Sequence, residues 1–342
     1  MTSIKQVAAK AGVSTATVSR VLANKTNVSR EARARVDAAV AELGYRPNLV
    51  ARSLRAQRSN TIGLVVSDIR NPFFTAVGRA VEDAAYEAGY RVVICNTDEN
   101  PEKEALYLAL MRDENVAGVI VSPAPHDAPR PHNWGLGLPL VVIDREPPLA
   151  GLDSVVLDNA AAAGELTAHL IAHGYRRIAG LFGAIGSTGE ERRQGFQQAL
   201  RAHGLAPEAD VLVPPRREAG EDATRVLLSR ERPPEAILCG NSLLTEGALL
   251  TIRAQGLHIP TDVALAGFDE TIWQGLIEPG ITVLAQPTDA IGRAAIELLL
   301  ARVAQQGRAA HQVRLAGTLI ARGSTAVRVS RPVGDRPPAS VG

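Results

Sequence analysis

Ile4, Val7, Ala8 and Ala11 stand at i, i+3, i+4 and i+7, the spacing of one apolar helix face. Gly12 ends that helix, because glycine takes a left-handed backbone at little cost. Ser14 is placed to cap a second helix whose inner face is Val18, Val21 and Leu22. Ser29 caps a third, with Glu31 near its positive end, Val36, Val40 and Leu43 on its inner side and Gly44 closing it. Two short helices around a glycine turn predict a helix-turn-helix. From residue 61 the pattern changes. Short apolar runs near 61–67, 91–95, 117–121, 139–143, 177–182, 235–239, 262–267 and 281–285 predict strands. Helical periodicity near 74–88, 102–114, 159–173, 190–203, 220–229, 242–255 and 287–306 fills the spaces between them. This alternation predicts parallel sheets covered by helices. It spans more chain than one such sheet usually organises, so two α/β lobes are expected.

Composition narrows the picture. A chain of 342 residues exceeds one ordinary core. With 46% hydrophobic and 21% charged residues it is not disordered as a whole. No apolar run approaches the ~18 residues of a membrane span, and the N-terminus lacks an apolar signal core, so a cytoplasmic protein with no membrane partner is expected. Cys95 and Cys239 cannot build a disulfide framework and read as buried thiols of a reducing compartment. The net charge of +1 hides an asymmetry. Residues 1–60 carry eleven Lys/Arg against three Asp/Glu, and the remainder carries an excess of seven acids. A basic head on an acidic body suggests a polyanion partner for the head alone.

The outer side of the second helix offers Thr15, Ala16, Thr17, Ser19 and Arg20. Short side chains let the backbone approach a base edge. Ala and the Thr methyl suit a thymine methyl, and Arg suits guanine O6 and N7. The stretch from Ile4-Lys5-Gln6-Val7-Ala8 through Ala11-Gly12-Val13-Ser14 to Thr17-Val18-Ser19-Arg20-Val21-Leu22 closely resembles the DNA-binding head of the LacI/GalR family of bacterial transcription regulators. Gly44-Tyr45-Arg46-Pro47-Asn48 and Ala51-Arg52-Ser53-Leu54 resemble that family's hinge helix. The resemblance implies DNA contacts from Ser14, Thr15, Ala16, Thr17, Ser19, Arg20, Asn27, Asn48, Ala51, Arg52 and Leu54. Thr15, Ala16 and Arg20 match major-groove readers, and Leu54 matches a leucine wedged into the minor groove. An apolar wedge unstacks a base step at a cost of a few kcal/mol, and the bent duplex gains contacts with the protein. A hinge helix of one or two turns is too short to be stable alone, so it would form only on DNA.

The body resembles the same family's sensor, which is similar to periplasmic sugar-binding proteins. The matching pieces are Asn71-Pro72-Phe73-Phe74, Asp98-Glu99, Val142-Ile143-Asp144-Arg145, Glu191-Arg192-Arg193-Gln194-Gly195-Phe196, Gly240-Asn241, Gly267-Phe268-Asp269 and Gln286-Pro287. The resemblance implies three crossings between lobes, near 160, 286 and 319. It also implies a ligand site of Arg192 and Asp269, then Asn241, then Phe73, Phe74, Asp144 and Arg145. Polyhydroxylated ligands need groups that bond two hydroxyls at once and an aromatic face for the C–H side, which Phe73, Phe74 or Trp273 could supply. The chain departs from the family's pattern at Ser242, where the family has Asp. The run from Gly267 to Trp273 followed by Glu278-Pro-Gly-Ile-Thr resembles members that sense gluconate-type acids, and Arg145 near Arg192 would suit a carboxylate.

Other motifs lead away from catalysis. Gly183-Ala-Ile-Gly186-Ser-Thr-Gly189 has the wrong spacing for a dinucleotide loop and reads as a flexible loop. His169 and His173 are at i, i+4 without a third ligand and read as helix-surface histidines, so no metal is expected. No nucleophile-and-base set is recognisable, and no cofactor or catalytic residue is expected. The expected architecture is α/β: an all-α helix-turn-helix head (1–46), a hinge helix and linker (47–60), a two-lobed effector-binding and dimerisation unit (61–330) and a disordered tail (331–342). The expected function is a homodimeric repressor of carbohydrate-utilisation genes. It would bind a pseudo-palindromic operator in double-stranded DNA and answer to a small-molecule effector, a sugar or sugar acid held between the lobes. The alternative is a sugar-binding receptor or a sugar-metabolising enzyme with a vestigial head.

Overall fold

The computed structural model describes residues 3–22, 28–45, 59–125, 134–135, 137–305 and 307–328. Asn27, the segment 46–58 with Asn48, Ala51, Arg52 and Leu54, and the expected tail 331–342 lie outside the described residues. The chain divides into two units, Met1–Ser59 and Asn60–Gly342.

In the first unit, α1 (Ile4–Ala11), α2 (Thr15–Leu22) and α3 (Arg30–Glu42) enclose a small core of Val7, Ala8, Ala11, Val18, Val21, Val36 and Ala39. Capping sets their ends. Ser3 and Gln6 form a capping box on α1, and Gly12 closes it at φ 65°. Ser14 Oγ accepts from Thr17 N–H at 3.1 Å, and Ser29 Oγ accepts from Ala32 N–H at 3.2 Å.

The second unit has two lobes, each a six-stranded sheet between helices. The first lobe orders its strands β11-β5-β4-β3-β1-β2, all parallel: β1 (Thr61–Val66), β2 (Arg91–Asn96), β3 (Gly118–Val121), β4 (Leu140–Ile143), β5 (Asp153–Leu157) and β11 (Gln312–Leu315). One face packs on α4 (Pro72–Glu87) and α11 (Thr288–Ala304), the other on α5 (Pro101–Asp113). The second lobe orders β12-β10-β9-β8-β6-β7: β6 (Ile178–Gly183), β7 (Ala209–Val213), β8 (Ala236–Cys239), β9 (Ala264–Phe268), β10 (Thr282–Ala285) and an antiparallel edge, β12 (Thr318–Ile320). Its faces carry α6 (Asn159–Ala172) with α7 (Gly186–Ala202), and α8 (Arg217–Leu228) with α9 (Ser242–Ala254). A short α10 (Ile272–Leu276) follows β9. The chain crosses between lobes after β5, after β10 and between β11 and β12, where the three crossings were expected.

Several readings need correction. β5, β7, β11 and β12 were not expected: β5 opens on the polar pair Asp153-Ser154, and the others are short or half-exposed edge strands. The Gly183–Gly189 run is no loose loop. Gly186–Gly189 is the first turn of α7, and a Cβ at Gly189 would stand 1.9 Å from the Gly183 carbonyl oxygen, so the run is a site of close backbone approach. His169 and His173 are half-buried, with His169 Nε2 2.7 Å from Thr325 Oγ1. Cys239 is buried and burial pushes its thiol up to about 12, whereas Cys95 on edge strand β2 is only half-buried.

Asp153 fastens the first lobe's edge. Its carboxylate accepts from Arg302 Nε of α11 at 2.6 Å and from His311 N–H at 2.7 Å. Burial alone would raise this carboxyl, but those bonds and the charges of Arg302 and Arg308 hold it below its usual range. The resulting stability is complete above the unfolded carboxylate value of about 3.9 and drains away as pH falls through the lower folded value. Asp153→Asn is expected to cost about 1–3 kcal/mol at neutral pH in urea unfolding and to shrink that acid-linked loss. An unchanged midpoint at pH 7 contradicts the assignment.

Candidate functional site

Parallel sheets place functional groups just past the carboxyl ends of their strands. Both lobes do so at a shared cleft. Asp68 follows β1, Asp98 and Glu99 follow β2, and Asp144 and Arg145 follow β4. From the other lobe come Ile185 after β6, Pro214 to Arg216 after β7, Gly240 and Asn241 after β8, Asp269 after β9 and Gln286 after β10. The cavity measures about 190 Å³. That is below the ~300–1,000 Å³ of pockets for drug-sized ligands, so it suits one small polar molecule. Four of the five non-glycine residues with left-handed backbones among the described residues line it: Asp98, Glu99, Asp144 and Asp269, with φ from 52° to 71°. Such strain is retained where side-chain direction matters.

Arg192, one turn into α7, is 5% exposed. Its Nε donates to Asn159 Oδ1 at 2.9 Å and its Nη1 to the Gly240 carbonyl at 2.5 Å. The guanidinium lies 4.1 Å from the centre of the Phe268 ring. Its Nη2 makes no hydrogen bond among the described residues. Burial pulls its pKa down, opposed by Asp269, Asp144 and Glu191. Asp269 Oδ1 accepts from Gln286 Nε2 at 2.7 Å and Oδ2 from Ser242 N–H at 3.2 Å, which fixes the carboxylate and leaves lone pairs over. Asn241 caps α9 by accepting from Leu244 N–H at 2.7 Å, so only its Nδ2 donor remains for the cleft. Across the cleft, Asp144 Oδ2 accepts from Ser122 Oγ at 3.1 Å. Burial raises the Asp144 carboxyl against the pull of Arg145 and Arg192.

The cleft therefore offers spare donors from Arg192 and Asn241 and spare acceptors from Asp144, Asp269 and Gln286. A hydroxyl can answer both kinds. Phe73 and Phe74, edge to face with centroids 5.0 Å apart, line the cleft and also belong to the first lobe's core. Two expectations change. Trp273 does not line the cleft; it sits on α10, half-buried against the second lobe's core. Arg145 lines the cleft but its fork is spent: Nη1 donates to Glu99 at 2.8 Å and to the Pro123 carbonyl at 2.6 Å, and Nη2 donates to Glu99 at 2.5 Å. It braces the wall, and of its three nitrogens Nε alone is left without a hydrogen bond, 3.5 Å from Asp144 Oδ2. Sequence reasoning missed Gln286, Thr188, Gly189 and Arg216 as lining residues. Gln286 stood in a quoted motif, but nothing in the pattern marked Arg216.

α7 begins at this cleft. Its N-cap is Ile185, in extended conformation with no side-chain cap, and Thr188 and Gly189 of its first turn line the cavity. Its first backbone N–H groups receive no side-chain acceptor and carry the positive end of the helix dipole.

In the first unit, Ser14, Thr15, Ala16 and Arg20 are exposed on one side of α2, with Thr17 and Ser19 half-buried among them. Arg20 makes no ion pair or hydrogen bond among the described residues. Ser14 and Thr17 bond each other at the start of α2, with their hydroxyls 3.0 Å apart, and Val18 and Val21 hold the opposite face in the core.

Comparison with known proteins places both units in a family. Residues 3–48 match the pattern of bacterial regulatory proteins of the lacI family, and residues 167–325 match a periplasmic binding protein-like domain. The HTH-type transcriptional regulator PtxS of Pseudomonas aeruginosa is 38% identical over 326 residues, covering 94% of this chain and 95% of that protein. Among solved structures, the lac repressor dimer bound to operator and the anti-inducer ONPF has a TM-score of 0.85 at 26% identity, covering 95% of this chain and 99% of that one. The transcriptional regulator CelR in complex with cellobiose has a TM-score of 0.71 at 30% identity, covering 95% of this chain and 100% of that one. The chain belongs to the lacI family of bacterial regulatory proteins: it is a DNA-binding transcription regulator with a periplasmic-binding-like sensor, not an enzyme.

Proposed function

We propose that this regulator represses carbohydrate-utilisation genes, that it binds a pseudo-palindromic operator as a homodimer, and that its effector is a sugar acid held in the cleft. Two-fold protein symmetry meets two-fold DNA symmetry, so each head takes one half-site. Thr15, Ala16 and Arg20 face the major groove, with Ser14, Thr17, Ser19 and Asn27 around them. Asn48, Ala51, Arg52 and Leu54 form the hinge contacts, Leu54 as the minor-groove wedge. The receptor and enzyme alternatives leave the exposed, unpaired side of α2 without a purpose.

The observation that carries the effector class is Arg192, a cavity-lining guanidinium whose Nη2 makes no hydrogen bond among the described residues, on the helix whose N-terminus no side chain caps. A carboxylate satisfies both at once. The hydroxyls of the same molecule then reach Asp269, Asp144 and Asn241, and Phe73 and Phe74 lie beside its C–H face. Effector and operator are linked because the effector binds the two lobe arrangements unequally. A coupling of ~1–3 kcal/mol is typical.

Thermal unfolding with D-gluconate, D-glucose, ribose and hypoxanthine tests the effector class. A ligand at ~100 times its Kd stabilises by ~2.7 kcal/mol, a midpoint shift of roughly 5–10 °C. The shift is expected with gluconate; a shift confined to a neutral sugar or a purine overturns the acid assignment. Asp269→Ala should abolish the ligand response while leaving operator affinity as it was, measured by fluorescence anisotropy, and a retained response removes Asp269 from the site. Arg20→Ala should weaken operator binding by ~1–3 kcal/mol and relax one base position. An unchanged base preference contradicts its reading role.

A further inference from the structure

One group of residues beside the cleft is not accounted for by ligand binding. The turn after β4 carries Asp144, Arg145 and Glu146. Asp144 is left-handed at φ 71°, which turns Arg145 back under the first lobe, where Glu99 and the Pro123 carbonyl hold its guanidinium. The same guanidinium abuts the second lobe. A Cβ at Gly186 would lie 2.5 Å from Arg145 Nε and 2.9 Å from its Cζ, and Gly186 itself has φ 75°. Both facts require glycine there. The next residue of each segment takes part as well: Glu146 N–H donates to Ser187 Oγ at 3.1 Å. The Glu146 carboxylate accepts from Arg314 of β11 at 2.7 Å, which ties the turn to the strand that leads into the third crossing.

On the opposite rim, Ser242 Oγ donates to Asn71 Oδ1 at 3.4 Å. The Asn71 amide cannot turn freely, because the same Oδ1 caps α4 by accepting from Phe73 N–H at 3.1 Å. Asn71 therefore presents an acceptor, and Ser242 supplies the donor it needs. Away from the crossings, these two bonds are the direct hydrogen bonds between the lobes among the described residues.

We infer that Arg145-Glu146 against Gly186-Ser187 is a latch that holds the lobes together without ligand, with Ser242–Asn71 as its weaker counterpart across the cleft. Its position makes it a relay. Asp144 lines the cavity two residues before Glu146, and Thr188 lines it one residue after Ser187. A ligand that draws on Asp144 and the first turn of α7 acts directly on the latch. The latch sets how much of the protein is closed before ligand arrives, and so sets the apparent affinity. That regulatory consequence rests on the effector-cleft reading above. The latch itself is tested with no ligand present, so the two fail separately.

The test is hydrogen–deuterium exchange by mass spectrometry on the full-length, ligand-free protein, comparing wild type with Ser187→Ala, Ser187→Thr and Gly186→Ala. Ser187 does not line the cavity, and Ser187→Ala removes only the acceptor. A purely local bond would speed exchange of the Glu146 amide alone. A latch also frees the far rim. Peptides holding the Phe73 and Ser242 amides should exchange about three- to tenfold faster in Ser187→Ala, at least as fast in Gly186→Ala, and at the wild-type rate in Ser187→Thr. Wild-type exchange at Phe73 and Ser242 in both Ser187→Ala and Gly186→Ala overturns the proposal.

Discussion

The buried guanidinium of Arg192 is the interaction on which the sensor depends. Burying a charge is tolerated only when it is hydrogen-bonded and compensated. Arg192 meets that demand with partners from three places: Asn159 just after the first crossing, the Gly240 carbonyl at the end of β8, and the Phe268 ring at the end of β9. Holding them together fixes where α6, α7 and the strand ends stand relative to one another. Asp269 and Asp144 supply the compensating charge from opposite sides of the cleft. Arg192 also lines the cavity itself.

The groups around it are constrained by work they already do. Asn241 spends its oxygen on capping α9, Asp269 is held by Gln286 and Ser242, and Arg145 is held by Glu99. Each is thereby oriented before any ligand arrives, which spares the ordering cost of binding. The α7 N-terminus is the exception, left uncapped at Ile185 where a ligand anion can complete it. The same first turn, through Gly186 and Ser187, also touches the neighbouring lobe, so recognition and lobe closure share one element.

Much of this was legible in the sequence. The head was readable because its apolar spacing, Gly12 and the caps at Ser14 and Ser29 are local signals, and short helices obey local rules. The lobes were readable from the alternation of strongly apolar runs with helical periodicity, and the crossings from the family resemblance. What escaped was decided by contacts distant in sequence. Strand β5 hides behind Asp153, whose burial depends on Arg302 and His311 far along the chain. The glycines of the first turn of α7 looked like slack, yet Gly189 and Gly186 are required by Gly183 and by Arg145. The family resemblance placed Arg145 in the site and residue type placed Trp273 there, but the terminal nitrogens of an Arg are available to a ligand only if no neighbour occupies them. A Trp serves a cleft only if its helix points it there.

The central claim is that Arg192 and the open end of α7 receive the acidic end of a polyhydroxylated effector. A crystal structure of the full-length protein grown with D-gluconate tests it most directly. The account predicts the ligand carboxylate within about 2.7–2.9 Å of Arg192 Nη2, at the first turn of α7, with its hydroxyls on Asp269 and Asp144. A ligand bound with its carboxylate turned away from α7, or seated outside this cleft, would contradict it.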